Sequence, residues 1–262
     1  MNPAAICVRM VRKKGEMHME QIHEQRIYIG PSMCDADRLL SHHAAFNLLQ
    51  DVAITHATQY GLGLADLEKH SLHWLIVRIK IVFERRPAFG EEIVLRTWAE
   101  APGRLRCNRS FEMLRDGEIL LRVHTEWAVY NSAARRVEPC ANIFPPELHF
   151  DLPPACSEPY ARIPERFDGI EPFAYYTVTS SDIDVLGHMN NAAYPRALFG
   201  AFTMAERRAH DLKSVDLVFR SPCYEGDTLA FRRRDLGDMM DVCVSRGADT
   251  VFLARLVPKE KT

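Results

Sequence analysis

The chain carries one pair of side chains suited to attack on a carbonyl group, Asp184 and His188, four positions apart. A carboxylate can activate water or attack a carbonyl carbon, and a histidine can move protons near neutral pH. Gly187 permits close approach of the backbone to a substrate. Asn190 and Asn191 follow, and either could fix the segment or hold a water molecule.

This segment stands directly before a predicted helix near residues 192–209. A loop that enters a helix presents free backbone N–H groups and the positive end of the helix dipole. The amides of Gly187 and His188 are therefore candidate donors to an oxyanion. The alternative is that Asp184 merely caps the helix and His188 is packed in the core.

Two other features carry weaker signals for chemistry. Cys223 is a lone cysteine, and such residues are more often small buried hydrophobes than functional groups. His42 and His43 are neighbours, and no cysteine or carboxylate spacing around them matches a zinc motif. We expect no metal and no cofactor.

The elements that must position these residues follow from hydrophobic periodicity. Residues 44–60 place apolar side chains on one face of a long helix, which Gly61 ends. Four segments with period-two alternation follow it, and Asp116-Gly117 between the last two is a strong hairpin signal. The pattern predicts an antiparallel sheet covered by one long helix. Its strands are expected around residues 77–83, 93–97, 105–113 and 119–129.

The same plan recurs after a proline-rich connection, with strands near residues 215–219, 228–234, 239–246 and 250–257. Asp35-Ala36-Asp37 and Asp182-Ile183-Asp184 each precede a long helix, and Val82-Phe83 and Val218-Phe219 each lie seven residues before a glycine. These matches indicate a duplicated unit. Aligned this way, Asp37 keeps the acid while Leu40 and Ser41 replace Gly187 and His188. The first copy then lacks catalysis, and Asp37 is expected to be a helix cap.

Composition excludes several classes of protein. The chain has 262 residues, 47% of them hydrophobic, and a formal net charge of −2, which argues against a general grip on nucleic acid. No apolar run reaches the roughly 18 to 20 residues of a membrane span. Residues 1–20 lack the apolar core of a secretory signal, and Met17 or Met19 could also be the start. Seven scattered cysteines without a C-x-x-C pair indicate reduced thiols in the cytoplasm.

Residues 181–194, S-D-I-D-V-L-G-H-M-N-N-A-A-Y, resemble the helix-entry loop of hotdog thioesterases, with its D-x-x-G-H-x-N-N-x-x-Y pattern. In the first half, residues 49–53 and 73–78 resemble the N-terminal repeat of acyl-ACP thioesterases, as do residues 104–109, Trp127 and Arg136. The resemblance covers about residues 28–257.

This resemblance implies an α+β fold of two tandem hotdogs, each a long helix wrapped by a curved antiparallel sheet. An amino-terminal extension (1–25) would precede an N-terminal hotdog for the acyl chain (26–140), a linker (141–172) and a catalytic C-terminal hotdog (173–262). Asp184 and His188 would be catalytic, and Trp74 and Tyr194 would bind substrate. The acyl donor would be acyl-ACP. The protein would be a monomer or a homodimer of double-hotdog chains.

Two positions depart from the family. Leu186 stands where an asparagine is usual, and Pro222, beside Cys223, stands where a glutamate is usual. An acyl-CoA donor, or an acyl-binding hotdog without catalysis, therefore remain alternatives to hydrolysis of acyl-ACP.

Overall fold

The computed structural model describes residues 21–260, so the expectations for the first 20 residues lie outside the described residues. The first half contains eight regular elements: β1 (His23–Tyr28), α1 (His42–Gln59), α2 (Leu64–Glu68), β2 (Leu72–Phe83), β3 (Glu92–Ala99), β4 (Cys107–Arg115), β5 (Glu118–Asn131) and β6 (Arg136–Glu138). The second half contains seven: β7 (Ala174–Thr177), α3 (Ala193–Gly200), α4 (Met204–Ala209), β8 (Leu212–Phe219), β9 (Thr228–Asp235), β10 (Met240–Arg246) and β11 (Asp249–Pro258).

The strands form one antiparallel sheet in the order β1-β3-β4-β5-β2-β8-β11-β10-β9-β7, with β6 paired to β5. Each half has the same internal order, and the two halves meet where β2 pairs with β8. α1 and α3 pack side by side in one apolar core with the sheet. The structure confirms the predicted tandem hotdog fold.

α1 forms as the sequence predicts, and local chemistry defines both of its ends. The Ser41 hydroxyl accepts a hydrogen bond from the Ala44 N–H and caps the first turn. At the other end Gly61 has a φ of +70°, which glycine adopts readily. The N–H groups of Gly61 and Leu62 then bond to the carbonyls of Thr58 and Ala57, which satisfies the last turn.

The predicted long helix of the second half is wrong in one respect, because it is interrupted. α3 ends at Gly200, and α4 begins after Thr203. The Thr203 hydroxyl accepts a hydrogen bond from the Glu206 N–H, and the Glu206 carboxylate accepts one from the Thr203 N–H. This capping box starts a new helix and outweighs the continuous apolar pattern. Pro195 lies in the first turn of α3, where its missing N–H breaks no helical hydrogen bond.

The two edge strands, β1 and β7, do not appear in the sequence pattern. β7 has four residues, and β1 has mixed polar residues without a regular alternation. β1 also begins at His23, inside the stretch expected to be an extension. By contrast, the Asp116-Gly117 hairpin is confirmed: φ is +50° and +84° at its two residues, as in a type I′ turn.

Residues 141–172 contain no strand: residues 143–150 pack near the end of α1, and residues 155–167 cross the opposite face of the sheet. The Ala155 N–H donates to the Ser110 hydroxyl at 2.8 Å, and the Ala161 N–H donates to Asp216 Oδ1 at 2.9 Å. Phe167 packs against Val218 and Leu253 on the same face. The connection therefore buries polar groups of the sheet that would otherwise face solvent.

Candidate active site

Each repeat has a loop that leads into its main helix, and the two loops have the same backbone fold. One is closed by a bridge between Cys34 and Leu40, the other by a bridge between Ile183 and Met189. In each loop the residue after the first bridge position accepts a backbone hydrogen bond from a residue with positive φ, three positions later. This equivalence pairs Asp35 with Asp184, Arg38 with Gly187 and Leu39 with His188.

The alignment expected from the sequence is therefore wrong by two residues. Asp37 is not the counterpart of Asp184, and Leu40 and Ser41 are not the counterparts of Gly187 and His188. Asp37 is also not a helix cap, because Ser41 caps α1, and the Asp37 carboxylate pairs instead with Arg208.

Asp35 and Asp184 differ in their surroundings. Asp35 Oδ2 lies 2.5 Å from Arg86 Nη1 and 3.2 Å from Arg207 Nη2. Burial raises the pKa of Asp35, but the Arg86 guanidinium and the Leu39 and Asp37 amides outweigh burial and hold the pKa below its ordinary value. Asp35 is thus a fixed anion neutralised by two cations. Within residues 21–260, Asp184 has no arginine or lysine partner.

The Asp184 loop is built around that carboxylate. Asp184 Oδ1 accepts a hydrogen bond from the Leu186 N–H at 2.9 Å, which excludes the alternative that Asp184 caps the helix. His188 Nδ1 lies 3.9 Å from the same oxygen, beyond hydrogen-bond distance. Gly187 has a φ of +81°, and its N–H donates to the Asp184 carbonyl. The Gly187 amide is therefore already used, which corrects its expected role as an oxyanion donor.

Asn190 supplies a donor in its place. Its Oδ1 accepts hydrogen bonds from Gln50 Nε2 at 3.1 Å and from the Ala192 N–H at 2.8 Å. These two bonds fix the orientation of the amide and leave the Nδ2 group, a donor, to the cleft that Asn190 lines. Gln50 belongs to α1, so the first repeat helps to position a side chain of the second.

Asp184 lies at an open cleft of about 1600 Å³ that includes its solvent-filled mouth. Leu186, Asn190 and Asn191 line the cleft with it, whereas His188 stands behind Asp184 and does not line it. Trp74 and Trp127 form the far wall, and both also line a narrower apolar pocket of about 460 Å³ under α1. Trp74 and Asp184 thus line the same cleft. The other residues that line the inner pocket are Ala53, Ile54, Ala57, Tyr60, Leu62, Ala99, Cys107, Asn108, Arg109 and Phe144.

Two of the expected site residues lie elsewhere. Tyr194 is buried against Phe219 and Phe252, and its hydroxyl donates to the Ser221 carbonyl and accepts from the Cys223 N–H. Cys223 is fully buried, and burial raises the pKa of its thiol. Tyr194 therefore packs the core and fixes the strand end beside the loop, and it does not contact the cleft.

A second carboxylate, Asp182, anchors the loop from below. Its side chain is buried and accepts hydrogen bonds from the Thr179 N–H at 2.8 Å, the Thr179 hydroxyl at 2.9 Å and the Tyr176 hydroxyl. It also pairs with Arg196, and its backbone carbonyl accepts from the Asn190 N–H. Sequence reasoning noted Asp182 only as part of the repeated D-x-D string and assigned it no role.

We expect Asp182→Asn to lower the free energy of unfolding by about 2 kcal/mol at neutral pH, because several charge-assisted hydrogen bonds weaken together. Burial raises the pKa of Asp182, but hydrogen bonds from Thr179 and Tyr176 and the charge of Arg196 bring it below 3.8. A carboxylate whose pKa is lower in the folded state than in the unfolded state stabilises the fold fully above the unfolded-state pKa. This stabilisation is lost as the pH falls through the folded-state pKa.

Urea unfolding at several pH values tests this expectation. The difference between wild type and Asp182→Asn should narrow as the pH falls below about 4. Glu225→Gln, at an exposed position, is the matched control and should change little. A difference that stays constant with pH would contradict the assignment.

Comparison with known proteins follows the same division into repeats. The family model of the acyl-ACP thioesterase N-terminal domain matches residues 20–144, and that of the C-terminal domain matches residues 170–243. Among solved structures, an acyl-ACP thioesterase from Bacteroides thetaiotaomicron superposes with a TM-score of 0.84 at 24% identity, covering 93% of this chain and 100% of that one. The 12:0-ACP thioesterase from Umbellularia californica gives a TM-score of 0.79 at 22% identity, covering 92% and 98%.

Two similar curated proteins come from plants. A chloroplastic palmitoyl-acyl carrier protein thioesterase of Gossypium hirsutum is 25% identical over 72% of this chain and 49% of its own length. A chloroplastic oleoyl-acyl carrier protein thioesterase of Arabidopsis thaliana is 27% identical over 69% of this chain and 54% of its own length. The chain thus spans about half the length of these relatives. Because the two family models together match most of the sequence, the chain belongs to the acyl-ACP thioesterase family.

Proposed function

We propose that the protein hydrolyses fatty acyl thioesters, with acyl-ACP as the donor. The observation that carries this proposal is the position of Asp184. In the part of the chain that the structure describes, Asp184 has no arginine or lysine partner, and it lines an open cleft that shares Trp74 and Trp127 with an apolar pocket. An acyl chain in the inner pocket would present its thioester carbonyl to that carboxylate.

The reaction needs a base, an oxyanion donor and a proton for the leaving group. Asp184 takes a proton from water, and the oxygen attacks the carbonyl carbon. Asn190 Nδ2 donates to the oxyanion, supported by Gln50. The C–S bond then breaks, and Asp184 returns this proton to the thiolate sulfur, which leaves the fatty acid and the free thiol of the carrier. His188 Nδ1, which lies 3.9 Å from Asp184 Oδ1, assists this proton transfer from beside the carboxylate.

Two positions depart from the usual family pattern, and the structure shows what they contact. Leu186 presents an apolar side chain to the cleft, while its N–H holds Asp184. Pro222 is exposed, and its carbonyl accepts from Arg246. The hydrolysis proposed here therefore uses Asp184, His188 and Asn190 without an asparagine or glutamate at these positions.

The two repeats divide the work in this proposal. The N-terminal repeat (26–140) accommodates the acyl chain, since the inner pocket is lined by α1 and its sheet. The C-terminal repeat (173–262) supplies the reacting loop, and the linker (141–172) joins them. One chain contains both parts, so a monomer already carries a complete site.

Chain-length preference should depend on the depth of the inner pocket. Ala57 is buried on α1 and lines this pocket. We expect Ala57→Leu to shift the preference toward shorter acyl chains, because the added carbons occupy space that the end of the chain would use. Asn47→Leu, on the exposed face of α1, is the matched control. Equal preference in both variants would place the acyl chain elsewhere.

We propose acyl-ACP as the donor because the relatives are named acyl-ACP thioesterases, and not because of the surface charge of this chain. An acidic carrier needs a basic surface, and the sequence offers Arg85-Arg86, Arg207-Arg208 and residues 232–234 as candidates. Most of these cations are already paired: Arg85 with Glu91, Arg86 and Arg207 with Asp35, Arg208 with Asp37 and Arg233 with Glu206.

Turnover of a panel of acyl-ACPs and acyl-CoAs, measured as the release of free thiol, tests the proposal. We expect turnover with acyl-ACP to exceed turnover with acyl-CoA at equal chain length. The reverse order would identify acyl-CoA as the donor. Tight acyl binding without thiol release from either would support the non-catalytic alternative.

We also propose a cytoplasmic location, where thiols stay reduced. The six cysteines within residues 21–260 are free, and five of them are buried. No helix in that part of the chain has the length and apolar character to cross a membrane. Fractionation of cells that express the tagged protein tests the location.

A further inference from the structure

The C-terminal repeat contains an apolar pocket of about 570 Å³ that the proposed reaction does not use. It lies between the helices of that repeat and the strand ends of β8, β9, β10 and β11. These strands are the counterparts of β2, β3, β4 and β5, so the pocket occupies the place in the second repeat that the inner acyl pocket occupies in the first. Phe199, Phe202, Leu212 and Leu256 form its apolar lining.

The Asp35 loop lies beside this second pocket, because Arg207 lines the pocket and also pairs with Asp35. His42 follows that loop just as Asn191 follows the Asp184 loop, and His42 lines the second pocket while Asn191 lines the cleft. Asp35 is held by Arg86 and Arg207, and the two carboxylates that line the pocket, Glu206 and Asp235, lie within ion-pair distance of Arg233. The second pocket is thus suited to binding and not to hydrolysis.

Two buried polar atoms at this pocket have no partner. The His42 residue is 9% exposed, and its Nδ1 makes no hydrogen bond. Arg207 Nε is also buried and without a hydrogen bond, although Arg207 Nη2 contacts Asp35. Buried polar groups are nearly always satisfied in native proteins, so unpaired ones at a pocket point to a missing ligand atom.

The charge around His42 favours an anionic ligand group. Burial and the nearby Arg86 and Arg207 guanidinium groups lower the pKa of His42 to about 3, so its imidazole is neutral. Its ring stacks on Phe199 with centroids 4.2 Å apart, which fixes its orientation. A neutral imidazole carries one N–H donor, and Arg207 Nε is a second donor.

We propose that this pocket binds a free fatty acid, with its apolar tail between Phe199 and Leu212 and its carboxylate at His42 and Arg207. The ligand is the class of product that the proposed hydrolysis releases, but its binding does not require turnover. A chain that lacked thioesterase activity would still bind it, so the two proposals fail independently.

Counting bound dodecanoate by native mass spectrometry and calorimetry tests the number of sites. We expect two equivalents on wild type, one in each repeat. Met240→Trp, which fills the rim of the second pocket, should bind one and keep its thioesterase turnover. Ile54→Trp, which blocks the inner acyl pocket, should also bind one but lose turnover. A single equivalent on wild type that Met240→Trp retains, or two on Met240→Trp, would overturn the proposal.

The carboxylate contact has its own test in the Ile54→Trp background. We expect His42→Phe, which keeps the ring stack, to weaken dodecanoate binding about tenfold because one charge-assisted hydrogen bond is lost. Dodecanol binding should stay the same. Arg207→Gln should behave likewise and covers the case in which His42→Phe does not fold. Equal effects of both variants on acid and alcohol would overturn the placement of the carboxylate.

Discussion

Asp184→Asn should lower kcat for acyl-thioester hydrolysis about 10³-fold and leave the fold unchanged. Asparagine has the size of aspartate, and its Oδ1 can still accept the hydrogen bond from the Leu186 N–H. What it lacks is the charge and basicity needed to take a proton from water. Thiol release under saturating substrate, with circular dichroism of both proteins, measures the effect.

The duplicated loop provides a matched control for this variant. Asp35→Asn makes the same chemical change at the equivalent backbone position, but Asp35 is neutralised by Arg86 and Arg207. We expect its kcat to stay within about twofold of wild type, while its stability falls by about 2 kcal/mol through the lost ion pairs. If both variants lost activity equally, Asp184 would not be the reacting carboxylate.

The largest effect on stability is expected where the two repeats join. Lys80 on β2 lies directly opposite Asp216 on β8, and Lys80 Nζ is 2.9 Å from Asp216 Oδ2. Both side chains are at most 10% exposed. Asp216→Ala should lower the free energy of unfolding by about 3–5 kcal/mol, because it leaves the Lys80 ammonium buried without a partner. Denaturant unfolding measures the change.

The double variant Lys80→Met with Asp216→Leu distinguishes the loss of the ion pair from the cost of leaving one charge buried without a partner. Removing both charges avoids the stranded ammonium, so most of the stability should return. The recovery will be incomplete, because Asp216 Oδ1 also accepts the hydrogen bond from the Ala161 N–H in the linker. A double variant as unstable as Asp216→Ala would show that the charge on Lys80 is not the cause.

Much of this fold can be predicted from local patterns. The Asp116-Gly117 turn, the glycine stop at Gly61 and the alternation within each strand depend on neighbouring residues, and the structure agrees with all three. The interruption between α3 and α4 depends on one capping box, which the apolar pattern hides.

The site is less accessible to such reasoning because its contacts are long-range. Gln50 reaches Asn190 across 140 residues, and Trp127 meets the cleft only through the β2–β5 pairing. The sequence alignment paired Asp37 with Asp184 for a similar reason. Both repeats contain a D-x-D sequence, and matching these sequences shifts the alignment by two residues from the one that the backbone of the loops defines. The positive φ at Arg38 identifies the correct alignment, because it matches the positive φ at Gly187. An arginine at this position does not predict a positive φ.

The presence of two different loops, one in each repeat of a single chain, also affects how the sequence of such a protein can evolve. In a symmetric homodimer a single gene encodes both loops, so an arginine that disables one would disable the other. Fusion into one chain removes that constraint. Each copy then accumulates its own substitutions, and ancestral sequences reconstructed before the fusion should carry one loop compatible with both roles.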